Sequence, residues 1–282
     1  MKRILLVLLA TLPLAMQAQD TENYGAVWTE VGVTKVLPYD LSIDAGIGFR
    51  SLDWFDEANR FDASLGISYK LGKYFKFGLG YTFIERHYWD RPKAHYSNST
   101  DNFNGYNIDE AHWTPRHRVA FDVTADKRFW KTLRISLRER YQFTHRMQSI
   151  ADDAKYRYSK LYNGSGDVTG YQLKDGYPET EPDTIATEND HILRSRLKLG
   201  VDKKGWAFSP FVSAEFHNSL NSGQDFNLEK VRTAIGTEYK INKHNEISLA
   251  YVLTFQIHDD EAPYVRLHDR LHALNIGYSY KF

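Results

Sequence analysis

Five titratable side chains lie at alternating positions that are otherwise occupied by apolar residues, where groups capable of acid–base chemistry are uncommon. They are His87, His117, His145, Glu85 and Glu139. A histidine can serve as a general base for a hydroxyl group or a water molecule when a carboxylate orients it. Three histidines at one level of a sheet could instead hold a metal ion. These residues define a catalytic hypothesis, although no H-E-x-x-H, G-x-S-x-G or P-loop pattern accompanies them.

A larger set of charged residues falls in the opposite phase and would share the other face of the sheet. The basic members are Arg50, Arg86, Arg118, Arg134, Arg138, Arg140, Arg194, Arg196, Lys198 and Arg232. The acidic members are Glu30, Asp44, Asp62, Asp122, Asp126, Glu215 and Glu238. Because burying an isolated charge costs several kcal/mol, we expect these groups to pair or to be hydrated. One interpretation is an ion-paired interior; the other is an arginine-lined path that selects anionic solutes.

The elements that must position both sets are β-strands with one apolar and one polar face. In residues 61–71 every odd position is apolar and every even position is polar or glycine, and residues 41–50 alternate in the same way. A period of two indicates a strand that meets different surroundings on its two sides.

Eleven such segments follow one another, and each has about the length that a tilted strand needs to cross a bilayer. They are residues 24–37, 41–53, 60–71, 75–89, 116–129, 133–146, 191–201, 206–217, 226–240, 246–258 and 271–282. Short and longer connections alternate along the chain. The short ones are residues 38–40, 72–74, 130–132, 203–205 and 241–245, and the longer ones are residues 54–59, 90–115, 147–190, 218–225 and 259–270. Bacterial barrels place short turns in the periplasm and long loops outside. The pattern therefore predicts an all-β protein, an antiparallel transmembrane β-barrel.

Aromatic residues support this interpretation because they mark both ends of the apolar runs, as the two interfacial girdles of a barrel would. The last segment has the most specific pattern, since Tyr278, Tyr280 and Phe282 share one apolar face and the chain ends on Phe282. This arrangement is similar to the C-terminal signal with which barrel proteins engage their insertion machinery.

The number of strands is the unresolved point of the topology. Eleven segments are visible, whereas single-chain bacterial barrels have even numbers. A poor strand within residues 19–26 would give twelve, which is our prediction; ten is the alternative. Within the connection 147–190, residues 168–173 could pair with residues 156–162 as a hairpin outside the membrane.

Composition excludes several classes of protein. The 282 residues are 42% hydrophobic and 15% aromatic, with no run apart from the N-terminus that approaches a transmembrane helix. The 36 basic and 36 acidic residues leave no surplus of positive charge for nucleic acid. No cysteine is present, so thiol catalysis and a lipoprotein anchor are excluded. We assign no metal and no cofactor.

The N-terminus predicts secretion. Lys2 and Arg3 precede an apolar stretch, which ends in a segment with small residues near Ala18. We interpret residues 1–18 as a signal peptide and residues 19–282 as the barrel, located in the outer membrane of a Gram-negative bacterium.

A family resemblance agrees with these expectations. Trp28, Glu30 and Lys35, followed by a strand that ends in Arg50, resemble the opening of an uncharacterised family of Bacteroidetes-type outer-membrane β-barrel proteins, a domain of unknown function. That family has Glu where this sequence has Asp44. The resemblance implies a barrel in the outer membrane and supplies no substrate, catalytic residue or cofactor.

Together these observations predict a monomeric outer-membrane barrel, either a narrow porin-like channel or a structural barrel with an arginine-rich, ion-paired lumen. Its expected partners are outer-membrane lipid, lipopolysaccharide and the insertion machinery. The alternative is an outer-membrane enzyme that modifies lipids at the outward histidines, and a surface-binding protein that uses its long loops is a third possibility.

Overall fold

The computed structural model of the protein describes residues 23–96, 103–221, 227–257 and 270–282. The predicted signal peptide, residues 1–18, lies outside the described residues. Every regular element in the described ranges is a β-strand. No helix in them is long and apolar enough to cross a membrane.

Eleven strands form a closed barrel, and they correspond to the eleven alternating segments of the sequence. Around the barrel the order is β1, β16, β15, β14, β13, β12, β8, β7, β4, β3 and β2. Their bounds are β1 Asn23–Val36, β2 Leu41–Leu52, β3 Glu57–Leu71, β4 Phe75–Tyr88, β7 His112–Phe129, β8 Leu133–Arg146, β12 Glu188–Val201, β13 Phe208–Ser219, β14 Asn227–Lys240, β15 Asn245–Gln256 and β16 Arg270–Lys281.

The barrel closes with an odd number of strands, where we expected twelve or, as the alternative, ten. All neighbouring strands are antiparallel except β1 and β16, which are parallel and in register from Asn23 opposite Arg270 to Thr34 opposite Lys281. An odd number of alternating strands brings the first and last together in the same direction. Because β1 also pairs with β2, both of its edges are hydrogen-bonded and the described barrel has no gap for a further strand.

The turns at one end of the barrel are short, and the connections 89–111 and 147–187 at the other end are longer. The prediction of a longer loop over residues 54–59 at that second end was wrong, because β3 begins at Glu57 and only residues 53–56 join it to β2. Two of the short turns have positive φ at both central residues, Tyr39 and Asp40 in one and Trp130 and Lys131 in the other. This conformation matches the type I′ hairpin, whose twist fits that of the flanking strands. Tyr39 and Trp130 are 87% and 84% exposed, so both turns present an aromatic ring at the same end.

Two of the long connections form a second sheet rather than irregular loops. Its strands are β5 Arg91–Tyr96, β6 Phe103–Asp109, β9 Ser149–Tyr162, β10 Val168–Leu173 and β11 Glu179–Ile185. The predicted hairpin is confirmed, since β10 pairs with residues 158–162 of β9. On the other part of β9, a hydrogen-bonded ion pair with Glu181 raises the pKa of Lys155 and lowers that of Glu181.

The two faces of the barrel differ as the alternation requires. Each of the eleven strands has at least one exposed large apolar side chain on its outer face: Val31, Ile47, Leu65, Leu79, Phe121, Leu137, Leu197, Phe216, Ile235, Leu249 and Ile276 are examples. Six buried apolar residues form a cluster inside the barrel, against which Trp89 packs: Ala26, Trp28, Leu52, Ala250, Val252 and Ala273. The core is therefore small and off-centre within the lumen.

Candidate functional site

The lumen contains a cavity of about 940 Å³ with charged walls. Sixteen of the seventeen charged residues of the predicted inner face line it. The exception, Arg86, lies nearer the long connections, is exposed, and interacts electrostatically with Asp190 and Arg146. We take this charged cavity as the candidate functional site.

Glu215 is the centre of the most extensive ion-pair network in the cavity. Its carboxylate is 4% exposed and accepts hydrogen bonds from Arg194 at 2.6 Å and Arg138 at 3.2 Å. The Nε2–H of His217 donates to the same carboxylate at 2.8 Å, and Nη1 of Arg232 lies 3.6 Å from it. Four strands, β8, β12, β13 and β14, are thus linked through one acidic side chain.

Further ion pairs join neighbouring strands. Arg140 on β8 makes a bidentate contact with Asp122 on β7, including a bond of 2.8 Å from Nη2. Arg60 and Asp62 lie 2.9 Å apart on β3. The Asp62 carboxylate crosses the space above Gly48, where a Cβ would come within 2.8 Å of it. A glycine is therefore required on β2 to admit this side chain.

The indole ring of Trp28 contacts the guanidinium groups of two arginines of the cavity. The guanidinium of Arg50 lies 4.6 Å from the centre of the indole ring and that of Arg232 lies 5.0 Å from it. The ring is 5% exposed, so these cation–π contacts are largely shielded from water. Such contacts orient a guanidinium without neutralising its charge.

Charge is unevenly distributed along the cavity, and we distinguish two parts among the described residues. The inner chamber has eight arginines and four carboxylates: Arg50, Arg60, Arg118, Arg138, Arg140, Arg194, Arg196 and Arg232 with Glu30, Asp62, Asp122 and Glu215. The entrance, next to the short turns, has slightly more acidic than basic residues: Lys76, Arg134, Lys198 and Lys240 with Asp44, Asp126, Asp202, Glu238 and Glu246. The inner chamber is therefore strongly cationic.

The two ends of the lumen differ in access to solvent. At the entrance Lys76 and Lys240 are exposed, and the side chain of Arg134 is 50% exposed. Beyond the inner chamber the inward side chains of Ile84 and Thr144 are at most 2% exposed. In the described part of the chain, the lumen is thus open at the short turns and packed toward the long connections.

The five residues of the catalytic hypothesis are not brought together. His117 and His145 lie directly opposite each other on β7 and β8. His87, however, pairs with Trp113, four residues along β7 from His117, or about 13 Å at the usual rise of a strand. The expectation that the three histidines share one level was wrong, because the register between β4 and β7 displaces His87.

Among the described residues, no hydrogen bond joins either carboxylate to the three histidines. Glu139 accepts a hydrogen bond of 2.6 Å from Ser195, and Glu85 pairs across the strands with Pro115. The Nδ1–H of His145 donates to Asn189 at 2.7 Å. No group of three or more His, Asp or Glu residues suited to a metal ion occurs in the described ranges. In the described residues, the contacts of His145 and Glu139 are thus made with other polar side chains and not within the set of five.

Two features of the site were not included in the sequence-based predictions. The lumen network also uses Arg60 and His217, which the alternation places in phase with Asp62 and Glu215. On the outer face, three tyrosine–histidine hydrogen bonds join neighbouring strands: Tyr81 with His117, Tyr141 with His191 and Tyr251 with His272. Each joins diagonal neighbours, so only the strand register could have revealed them.

A closed barrel with an apolar exterior and a charged lumen defines the chain as a β-barrel protein. The model of the family described as protein of unknown function (DUF2490) matches residues 25–263. The chain belongs to this family, which confirms the expectation of an uncharacterised domain. A search of curated proteins found no match.

Proposed function

We propose that the protein is an outer-membrane β-barrel whose strands cross the lipid bilayer. The observation that supports this is the continuous belt of exposed apolar side chains, which every barrel strand joins. Water-soluble monomers rarely expose apolar patches larger than a few hundred Å². Lipid tails provide the surroundings in which such a belt is stable, and a closed barrel leaves no backbone group unpaired there.

In this proposal the short turns face the periplasm and the long connections face outward, as in other bacterial barrels. Tyr39 and Trp130 would lie at the inner interface, where amphipathic rings are favoured. Phe282 follows β16 directly, and its backbone amide donates to the carbonyl of Thr34 near the end of β1. The expected partners are outer-membrane lipid, lipopolysaccharide and the barrel-insertion machinery, and the closed sheet favours a monomer.

We further propose a narrow, ion-paired lumen rather than an open diffusion pore. The network around Glu215 crosses from β8 to β14, and packed side chains such as Ile84 lie beyond it. A solute on its way to the long-loop end would have to break several charge-assisted hydrogen bonds. The cavity is thus blocked on the long-connection side and open toward the proposed periplasmic side.

Planar-bilayer recording tests this proposal. We expect the purified, folded protein to insert without producing steady open-channel steps at moderate voltage, because the ion-pair network blocks the path. An established wide porin in the same bilayers serves as the positive control. Regular, ohmic current steps from each inserted molecule would contradict a closed lumen and would favour the porin-like alternative.

A further inference from the structure

The inner chamber has more positive charge than its own carboxylates can neutralise. Eight guanidinium groups face four carboxylates within the part of the cavity that the described residues enclose. Arg118 interacts electrostatically with Arg50 and Arg194, which lie on other strands, so like charges meet across the lumen. A low-dielectric wall strengthens this repulsion and concentrates anions in the cavity.

Two arginines of the chamber have no carboxylate oxygen within 4.0 Å among the described residues. Arg118 donates to the hydroxyl of Thr144 at 3.0 Å and interacts with the Asp62 carboxylate only at longer range. Arg196 interacts with Glu215 and Asp122 in the same way, without a close ion pair. In addition, the Nε atoms of Arg138 and Arg194 are buried and lack hydrogen-bond partners in the described structure. Buried donors without partners are costly, so these two guanidinium groups are incompletely satisfied by the protein itself.

We propose that the inner chamber binds a small solute with several negative charges, in phosphate or carboxylate groups. Guanidinium groups recognise both chemistries through paired hydrogen bonds. Arginines approach the chamber from opposite walls, Arg50 from β2 and Arg194 from β12, so a ligand with separated anionic groups fits better than a single chloride ion. The solute enters past the entrance, from the short-turn end.

This inference rests on the proposed barrel in one respect, that the entrance faces the periplasm and its solutes. Binding itself is tested on the full-length, detergent-folded protein by isothermal titration at constant ionic strength. The probes are inorganic pyrophosphate, citrate, and sucrose as a neutral control. We expect saturable binding of one or both anions and none of sucrose; the comparison between pyrophosphate and citrate distinguishes phosphate from carboxylate ligands.

Variants locate the site. Arg118→Gln and Arg196→Gln remove charges that form no ion pair within 4.0 Å in the described residues, although Arg118 interacts at longer range with Asp62 and Arg196 with Glu215. Each is expected to weaken anion binding at least tenfold, the effect of losing one charged hydrogen bond. The control is Arg134→Gln, which removes an arginine paired with Asp126 at the entrance and should change the affinity less than threefold.

The outcomes separate this inference from the proposed function. Folding of each variant is checked by the shift between heated and unheated protein in gel electrophoresis. If the folded protein binds neither anion, or if Arg134→Gln weakens binding as much as both chamber variants, the anion site is wrong while the membrane barrel stands. If the protein requires no detergent but binds the anions at the chamber, the site stands and the membrane proposal fails.

Discussion

Replacing Glu215 by glutamine is expected to destabilise the folded barrel by about 3 to 5 kcal/mol. The substitution keeps the shape of the side chain but removes the charge that Arg138 and Arg194 contact at 3.2 Å and 2.6 Å. Arg232, at 3.6 Å, also loses its only ionic partner in the described structure. Three guanidinium groups then repel one another around a buried amide. Urea unfolding in detergent micelles, followed by tryptophan fluorescence, measures the difference.

The matched control for this substitution is Asp126→Asn, which removes the charge of a pair at the entrance. Asp126 and Arg134 have side chains 30% and 50% exposed, so water replaces the lost interaction. We expect a cost of no more than about 1 kcal/mol. Equal free energies of unfolding for the two variants would mean that the Glu215 network does not stabilise the barrel.

Replacing Leu65 by arginine is expected to cost about 2 to 4 kcal/mol in a lipid bilayer. Leu65 is 61% exposed on the outer face of β3, near the middle of the strand. In water an exposed leucine can be replaced by arginine at little cost, usually within about 0.5 kcal/mol. In the bilayer the guanidinium would have to leave water or deform the membrane. Reversible unfolding from lipid vesicles in guanidinium chloride gives the value.

Leu71→Arg controls for the chemistry of this substitution. Leu71 lies on the same face of the same strand and is 50% exposed, but it is next to the short turn. At the interface an arginine costs only about 0–1 kcal/mol. A similar small cost at both positions would show that the outer belt faces water, whereas a large difference supports a lipid-facing surface.

The course of the barrel strands could be predicted from the sequence because alternation is a local property. In β8 the predicted bounds, residues 133–146, coincide with those of the structure. A strand with one apolar face has its register fixed, since a shift by one residue would exchange its two faces. The same argument identified the charged residues of the lumen from their phase alone.

The closure of the barrel could not be predicted in this way. Whether β1 meets β16 in parallel depends on the geometry of the whole sheet, and nothing within residues 23–36 indicates the direction of the partner. General experience with even-numbered barrels therefore led to the prediction of twelve strands. The three strands β5, β6 and β11 were missed for a related reason, because they are short and lie within polar connections.

The candidate site shows the same division between local and non-local information. Phase placed Glu215, Arg194 and Arg232 on the inner face, and Arg232 lies directly opposite Glu215 on the neighbouring strand. The approach of Trp28 to Arg232, in contrast, depends on how the barrel curves. The prediction for the outward histidines was wrong because phase does not give the register between strands. The histidines share one face, but the register between β4 and β7 separates His87 from His117. Side chains that meet across a barrel require its three-dimensional shape.

Site-directed spin labelling tests most directly whether alternate side chains face lipid and a wet lumen. The chain contains no cysteine, so single cysteines can be introduced and labelled specifically. Adjacent positions provide the comparison: Leu65→Cys and Tyr81→Cys on the outer face, Ser64→Cys and Thr82→Cys in the cavity wall. In lipid vesicles we predict that the outer labels collide mainly with dissolved oxygen and the inner labels mainly with a water-soluble nickel chelate. Equal access of the chelate to all four labels would contradict the account.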